Sequence, residues 1–294
     1  MKKIILVLTI AVFLAPFAKA QVSDVLDGVY VKEHVPARKP VPYHHLREAD
    51  MMWSKKIWRM LDLREKINHP LYYPTAKMDD RYSLIDLLLY GVASEGLVVY
   101  NTGDDEFTTP MTAKEIDDNF GVKVDTVYID NEETGGQDMK IIDNPRTTSE
   151  VTRLLIKEVW YFDKQRSMLE VRIVGLCPIR MYEKQATVNQ EVTAPEDGEA
   201  DEKELTAKQI FWVYFPSARP LLANHEVFNS NSDSERRTFD DIFFKRRFSS
   251  YIYQETNVYD NRRIGEFKYG LDALTESDNI KDFVFKFEHD LWEY

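Results

Sequence analysis

Cysteine is almost absent from this 294-residue chain; Cys177 is the only one. A single thiol closes no internal disulfide, so stability must come from an ordinary packed core. Positive charge is also scarce. Thirty-eight Lys and Arg face fifty Asp and Glu, for a formal net charge of −12. That balance opposes binding to nucleic acid or to anionic membrane surfaces, which need clustered positive charge. Glycine is limited to 11 residues, with no Gly-rich phosphate loop and no Gly-x-Ser-x-Gly elbow. The six histidines lack ligand spacing: His44 and His45 are adjacent, His69 precedes a proline, and no second His follows His225 at zincin spacing. No internal repeat or coiled-coil heptad array is visible. Carboxylates are abundant, but nothing singles out two as a glycosidase pair. From these patterns no catalytic, cofactor-binding or metal site is expected.

What is present begins with an address. Lys2 and Lys3 precede an apolar run from Ile4 to Phe17, and Ala18-Lys19-Ala20 reads as a cleavage site. The run is shorter than the roughly 20 residues a membrane span needs. Residues 1–20 are thus expected to be a signal peptide, with a mature start at Gln21. No cysteine follows that site, so no lipid anchor is expected. Removing Lys2, Lys3 and Lys19 takes three positive charges and moves the net charge from −12 to −15. Sixteen Phe, sixteen Tyr and five Trp leave much apolar area to place.

The expected organisation is an arm over 21–47 and a single domain over 48–294. Pro36, Pro40 and Pro42 bias the arm to extended geometry. It is either a loose terminus or a strap on a neighbour. Residues 48–67 are expected to be helical, with Trp53, Ile57, Met60, Leu61, Leu63 and Ile67 on the core face. Met51 and Trp58 then fall on the far side, near Lys55, Asp62 and Glu65. Trp58 either packs under another element or anchors a partner. Ile85, Leu88, Leu89 and Val92 mark a second helix that begins near Asp80 or Ser83 and ends near Gly96, and Thr112 with Glu115 caps a third that Gly121 closes.

Strands are expected near 122–126, over 153–162 and 169–182, and over 209–215. In the third of these, Leu169, Val171, Ile173, Cys177, Ile179 and Met181 share a face, which suggests a sheet covered on one side. Cys177 is then an inert core thiol. Residues 188–206 hold seven acids, one lysine and no aromatic, and read as a mobile loop. A helix is expected over 238–253, capped by Thr238, with Phe239, Ile242 and Phe243 on one side and Phe244, Phe248, Tyr251 and Ile252 on the other. A last helix spans about 278–292. The fold class is α+β, an antiparallel sheet in the middle flanked by N-terminal and C-terminal helices, with an extended Pro-rich N-terminal arm.

Five segments carry a family resemblance: "SKKIWRMLDLREKINHPLYYP", "SLIDLLLYGVASEGLVVY", "LIKEVWYFDKQRS", "FWVYFP" and "FDDIFFKRRFSSYIYQETNVYDNR". They resemble the gliding-motility protein family GldN, called PorN in some species, of the Bacteroidota type IX secretion system. The resemblance implies a periplasmic, non-enzymatic ring subunit. Its implied partners are a GldK/PorK-like outer-membrane lipoprotein, a GldM/PorM-like motor subunit and further copies of itself, without nucleic acid or direct membrane insertion. The candidate interface residues are Met51, Lys55, Trp58, Phe244, Phe248, Tyr251, Pro36, Pro40 and Pro42. Two other readings remain open: a hydrolase of envelope glycans, and a monomeric ligand-binding protein.

Overall fold

A computed structural model describes residues 37–78, 81–122, 124–131, 136–143, 146–183, 205–232 and 234–291. The expected signal peptide, the arm as far as Pro36, and the acidic segment up to residue 204 lie outside the described residues. In chain order the elements are β1 (Met51–Asp62), α1 (His69–Tyr72), α2 (Leu84–Ser94), β2 (Val99–Tyr100), α3 (Ala113–Phe120), β3 (Val124–Asn131), β4 (Gly136–Asp143), β5 (Val151–Asp163) and β6 (Met168–Glu183). They continue with β7 (Leu205–Gln209), β8 (Trp212–Tyr214), α4 (Phe215–Asn224), β9 (Glu226–Val227), β10 (Arg237–Thr238), α5 (Phe239–Phe244), β11 (Tyr251–Glu255) and α6 (Leu271–Asp290). The main sheet runs β11-β1-β5-β6-β8-β2, with β7 also paired to β6. All its strand pairs are antiparallel, so the fold is α+β.

The expected helix over 48–67 is a strand for most of its length. β1 lies between β5 and β11, and register sets Ile57, Arg59 and Leu61 on the face of Glu158, Ile156 and Leu154. Trp58 and Met60 share the opposite face with Lys157 and Leu155. Both faces are covered here, so Ile57, Trp58, Met60 and Leu61 are all buried. A strand buried on both sides loses its period-two alternation, and its apolar positions then imitate helical spacing.

The expected helix over 238–253 is likewise split. Thr238 does cap α5, forming a capping box with Asp241. The helix ends because Arg246 takes a positive φ of 53°. Asn68 then holds the turn: its Oδ1 accepts from the Ser249 amide at 3.0 Å, and its Nδ2 donates to the Ser249 carbonyl at 3.0 Å. Tyr251 onward pairs with β1 as β11. The two apolar sides read as one helix therefore belong to a helix and a strand.

Two sequence cues hold closely. Ser83 caps α2, and the Thr112–Glu115 box caps α3, with Gly121 left-handed at its end. The strand expected over 209–215 shortens to β8, because Pro216 stands in the first turn of α4, where a missing N–H costs nothing. The last two residues of the expected acidic loop, Leu205 and Thr206, open β7. The last helix starts seven residues earlier than expected, at Leu271.

The core forms on both sides of the sheet, not on one. On one side, Leu61, Leu154, Ile156, Ile173 and Leu176 meet Leu84 and Leu88 of α2, Phe215 and Leu222 of α4, and Phe239 and Phe243 of α5. Another cluster joins Trp58, Met60, Leu155, Cys177, Ile179 and Trp212. A bulge opposite Lys157–Glu158 inserts Val174 into β6, and the inserted residue turns Ile173 and Cys177 to different faces. α6 packs Ile280 and Val284 on Ile57 and Ile252 in a third cluster.

Candidate functional site

Of the nine residues singled out from sequence, the eight that are described do not converge on one surface. Trp58 is 4 % exposed. Its indole Nε1 donates to Asp105 Oδ2 at 2.8 Å. Lys157, also buried, donates to the Asp105 carbonyl at 2.7 Å and pairs with its carboxylate at 3.1 Å. The ammonium lies 5.5 Å from the Trp58 ring centre and 5.6 Å from that of Phe107. Phe107 sits at a positive φ of 60° and presses on Gly175, where an added Cβ would come within 2.4 Å of its ring. The 101–110 loop is thus a lid over this face of the sheet, and Trp58 is its anchor rather than a partner contact.

Lys55 points to the other side, in a 2.6 Å ion pair with Glu255. Phe248 and Tyr251 are half-buried, packed on the first and second core clusters respectively. Burial raises the Tyr251 phenol above its ordinary value. Pro36 lies outside the described residues.

The described part of the arm, with half-buried Pro40 and exposed Pro42, docks on its own body. Arg38 pairs with Asp241 at 2.8 Å. The Tyr43 ring lies between the Arg219 guanidinium, 4.4 Å from its centre, and that of Arg172 at 5.2 Å, and stacks on Phe244 at 6.0 Å. Burial raises the Tyr43 phenol, with Arg219 opposing. Beneath it, Arg219 forks onto Asp240, with Nε–Oδ1 at 2.8 Å and Nη2–Oδ2 at 3.1 Å, and both side chains are buried. Of the residues expected on the α5 interface, Phe244 alone is exposed, and Tyr43 covers part of it.

Met51 keeps the surface position expected of it, for a different reason. It begins β1, and register carries it across Asp163 to Met168, the first residue of β6. Met51 is 37 %, Met52 61 % and Met168 40 % exposed. Asp50 ties this end together, accepting from the Lys164 amide and the Gln165 side chain, both at 2.9 Å. The result is a methionine-rich end of a rigid sheet. Thioether side chains of this kind adapt to varied partner shapes. Met168 was not singled out, because its nearness to Met51 exists only through strand register.

Among the described residues, no group of three or more His, Cys, Asp or Glu is placed to hold a metal ion. One concavity, lined in part by Arg81, Glu226 and Arg236, encloses about 20 Å³, room for one water. A second, open and about 300 Å³, is lined by Phe267, Lys268, Tyr269, Asp272 and Thr275, and so carries one carboxylate where glycoside hydrolysis uses two. Cys177 is fully buried, and burial pushes its thiol far above the ordinary range. The native protein should therefore resist a thiol reagent such as DTNB until denaturant exposes the site. Rapid labelling of the folded chain would contradict this burial.

Comparison with known proteins adds what the geometry alone lacks. The family model described as gliding motility associated protein GldN matches residues 46–293. The chain belongs to the GldN family. No curated protein matches it. Membership implies involvement in gliding motility and type IX secretion, as a component of that machinery and not as a known kind of enzyme. The GldN match spans the main sheet and its covering helices, together with the Met51–Met168 end. Arg38 and Tyr43 of the docked arm lie outside it.

Proposed function

We propose that this GldN-family chain is a non-enzymatic structural subunit of the periplasmic ring of the type IX secretion and gliding machinery. Its mature form binds a GldK/PorK-type outer-membrane lipoprotein, contacts the GldM/PorM-type motor shaft, and is held at the outer membrane through the lipoprotein. The observation that carries this reading is the set of three exposed methionines, Met51, Met52 and Met168, at one end of the main sheet. Such a patch on a rigid scaffold suits a protein contact. The lipoprotein is assigned to this end.

The test is a pull-down from envelope extract with the mature chain as bait, read by mass spectrometry for a GldK-like lipoprotein. The wild-type chain should retain it. A Met51→Glu, Met52→Glu, Met168→Glu variant should retain at least about tenfold less, since charges would enter the apolar centre of the contact. Absence of the lipoprotein from the wild-type capture would sink the reading. Undiminished capture by the triple variant would move the contact elsewhere.

A further inference from the structure

α6 carries a second apolar stripe that the body leaves bare. Its core side holds Ser277, Ile280 and Val284. Leu274, Asp278, Lys281 and Phe285 follow one another at spacings of four, three and four residues, which brings all four within about 60° of one another on the helix. Leu274 is 50 % and Phe285 67 % exposed, and Leu271, at 77 %, extends the stripe by one turn. The Asp278 side chain is 70 % and the Lys281 side chain 40 % exposed, and within one helix the two form a 2.8 Å surface ion pair that a second copy would share or exchange. The stripe thus reads apolar, acidic, basic, apolar along α6.

That order is self-complementary under one operation. A two-fold axis midway between positions 279 and 280 sets two copies of α6 antiparallel. Leu274 then meets Phe285 of the second copy, and Asp278 meets Lys281, each pairing occurring twice. The spacing is that of a short coiled-coil seam of two heptads, too brief to register as a heptad array in the sequence. A parallel arrangement would set Asp278 on Asp278 and Lys281 on Lys281. An anionic lipid surface would meet Asp278 and Asp282.

We infer that this stripe is a self-pairing face, and that the free chain forms an isologous, antiparallel dimer through α6. Such a contact closes on itself and does not propagate a ring. It therefore stands apart from the lipoprotein contact and goes beyond the ring reading. Two helices meeting over a few turns bury less than the roughly 1,200 Å² of a standard interface, so the dimer is weak and reversible.

Sedimentation equilibrium of the mature chain over roughly a hundredfold range of concentration reads the association. The wild type should shift from monomer to dimer across that range. Leu274→Asp and Phe285→Asp, each checked by circular dichroism for an unchanged fold, should weaken association at least about tenfold. Asp278→Lys alone and Lys281→Asp alone should each stay monomeric, because each meets its own copy with like charges. An equimolar mixture of those two variants should dimerise, because every charged pair is then opposite in sign. A chain that stays monomeric throughout, a dimer indifferent to Phe285→Asp, or a mixture no more associated than its components would each overturn the inference. Lipoprotein capture by Phe285→Asp should remain at the wild-type level. A shared loss would merge the two surfaces into one and overturn the separate self-pairing face.

Discussion

Trp58→Ala should cost about 3–5 kcal/mol of folding stability, the usual range for removing a buried tryptophan. The indole is 4 % exposed and packs with Met60, Leu155, Cys177 and Trp212. Its loss also strips Asp105 of one donor and Lys157 of one aromatic face, while Lys157 stays buried with its charge. The 101–110 lid should then loosen, because Phe107 and Asp105 are held through the same cluster. Urea denaturation should show a lower midpoint with little change in slope. Trp58→Phe keeps most of the apolar area and gives up the indole hydrogen bond, so its cost should fall to about 1–2 kcal/mol. A Trp58→Ala protein as stable as wild type but deficient in lipoprotein capture would restore tryptophan to the surface and contradict the strand assignment.

An effect of similar size should follow Asp240→Ala. Arg219 and Asp240 are joined by two hydrogen bonds beneath the docked arm, with side chains only 6 % and 8 % exposed. Removing one partner of such a pair leaves an uncompensated buried charge and costs about 3–5 kcal/mol. The double change Arg219→Met, Asp240→Leu should recover most of that loss, because a well-packed apolar pair avoids the desolvation penalty. It should not restore the seat of Tyr43, whose ring lies over the Arg219 guanidinium. Limited proteolysis near Arg38 should therefore be faster in the double variant than in wild type. An Asp240→Ala midpoint indistinguishable from wild type would show that water reaches this pair.

Sequence patterns recovered the elements whose signals are local. Ser83 and Thr112 place helix starts because a cap is chemistry within four residues. β5 and β6 are long enough for β-branched and aromatic runs to declare them. The failure at 48–67 comes from tertiary cover. Ile57, Trp58, Met60 and Leu61 are consecutive or nearly so because both sheet faces are buried, and a helical wheel absorbs that pattern without protest. Residues 238–253 break at Arg246 for a backbone reason that Asn68, nearly 180 positions away, reinforces. α4 hides behind "QIFWVYF", whose apolar run reads as strand until Pro216.

The candidate surfaces follow the same division. The four described tryptophans are covered: Trp58 and Trp212 are buried, and Trp53 and Trp160 are half-buried beside α6. Exposed apolar side chains include the methionines at one end of the sheet and Leu274 and Phe285 on one flank of α6. Neither grouping has a contiguous motif, so both required the fold.

Hydrogen exchange of the mature chain with and without its lipoprotein partner tests the central claim most directly. The account predicts added protection at the amides around 50–53 and 164–169, the methionine end of the sheet, with the Trp58 lid at 101–110 unchanged. Protection confined to the lid, or no difference anywhere along the chain, would contradict it.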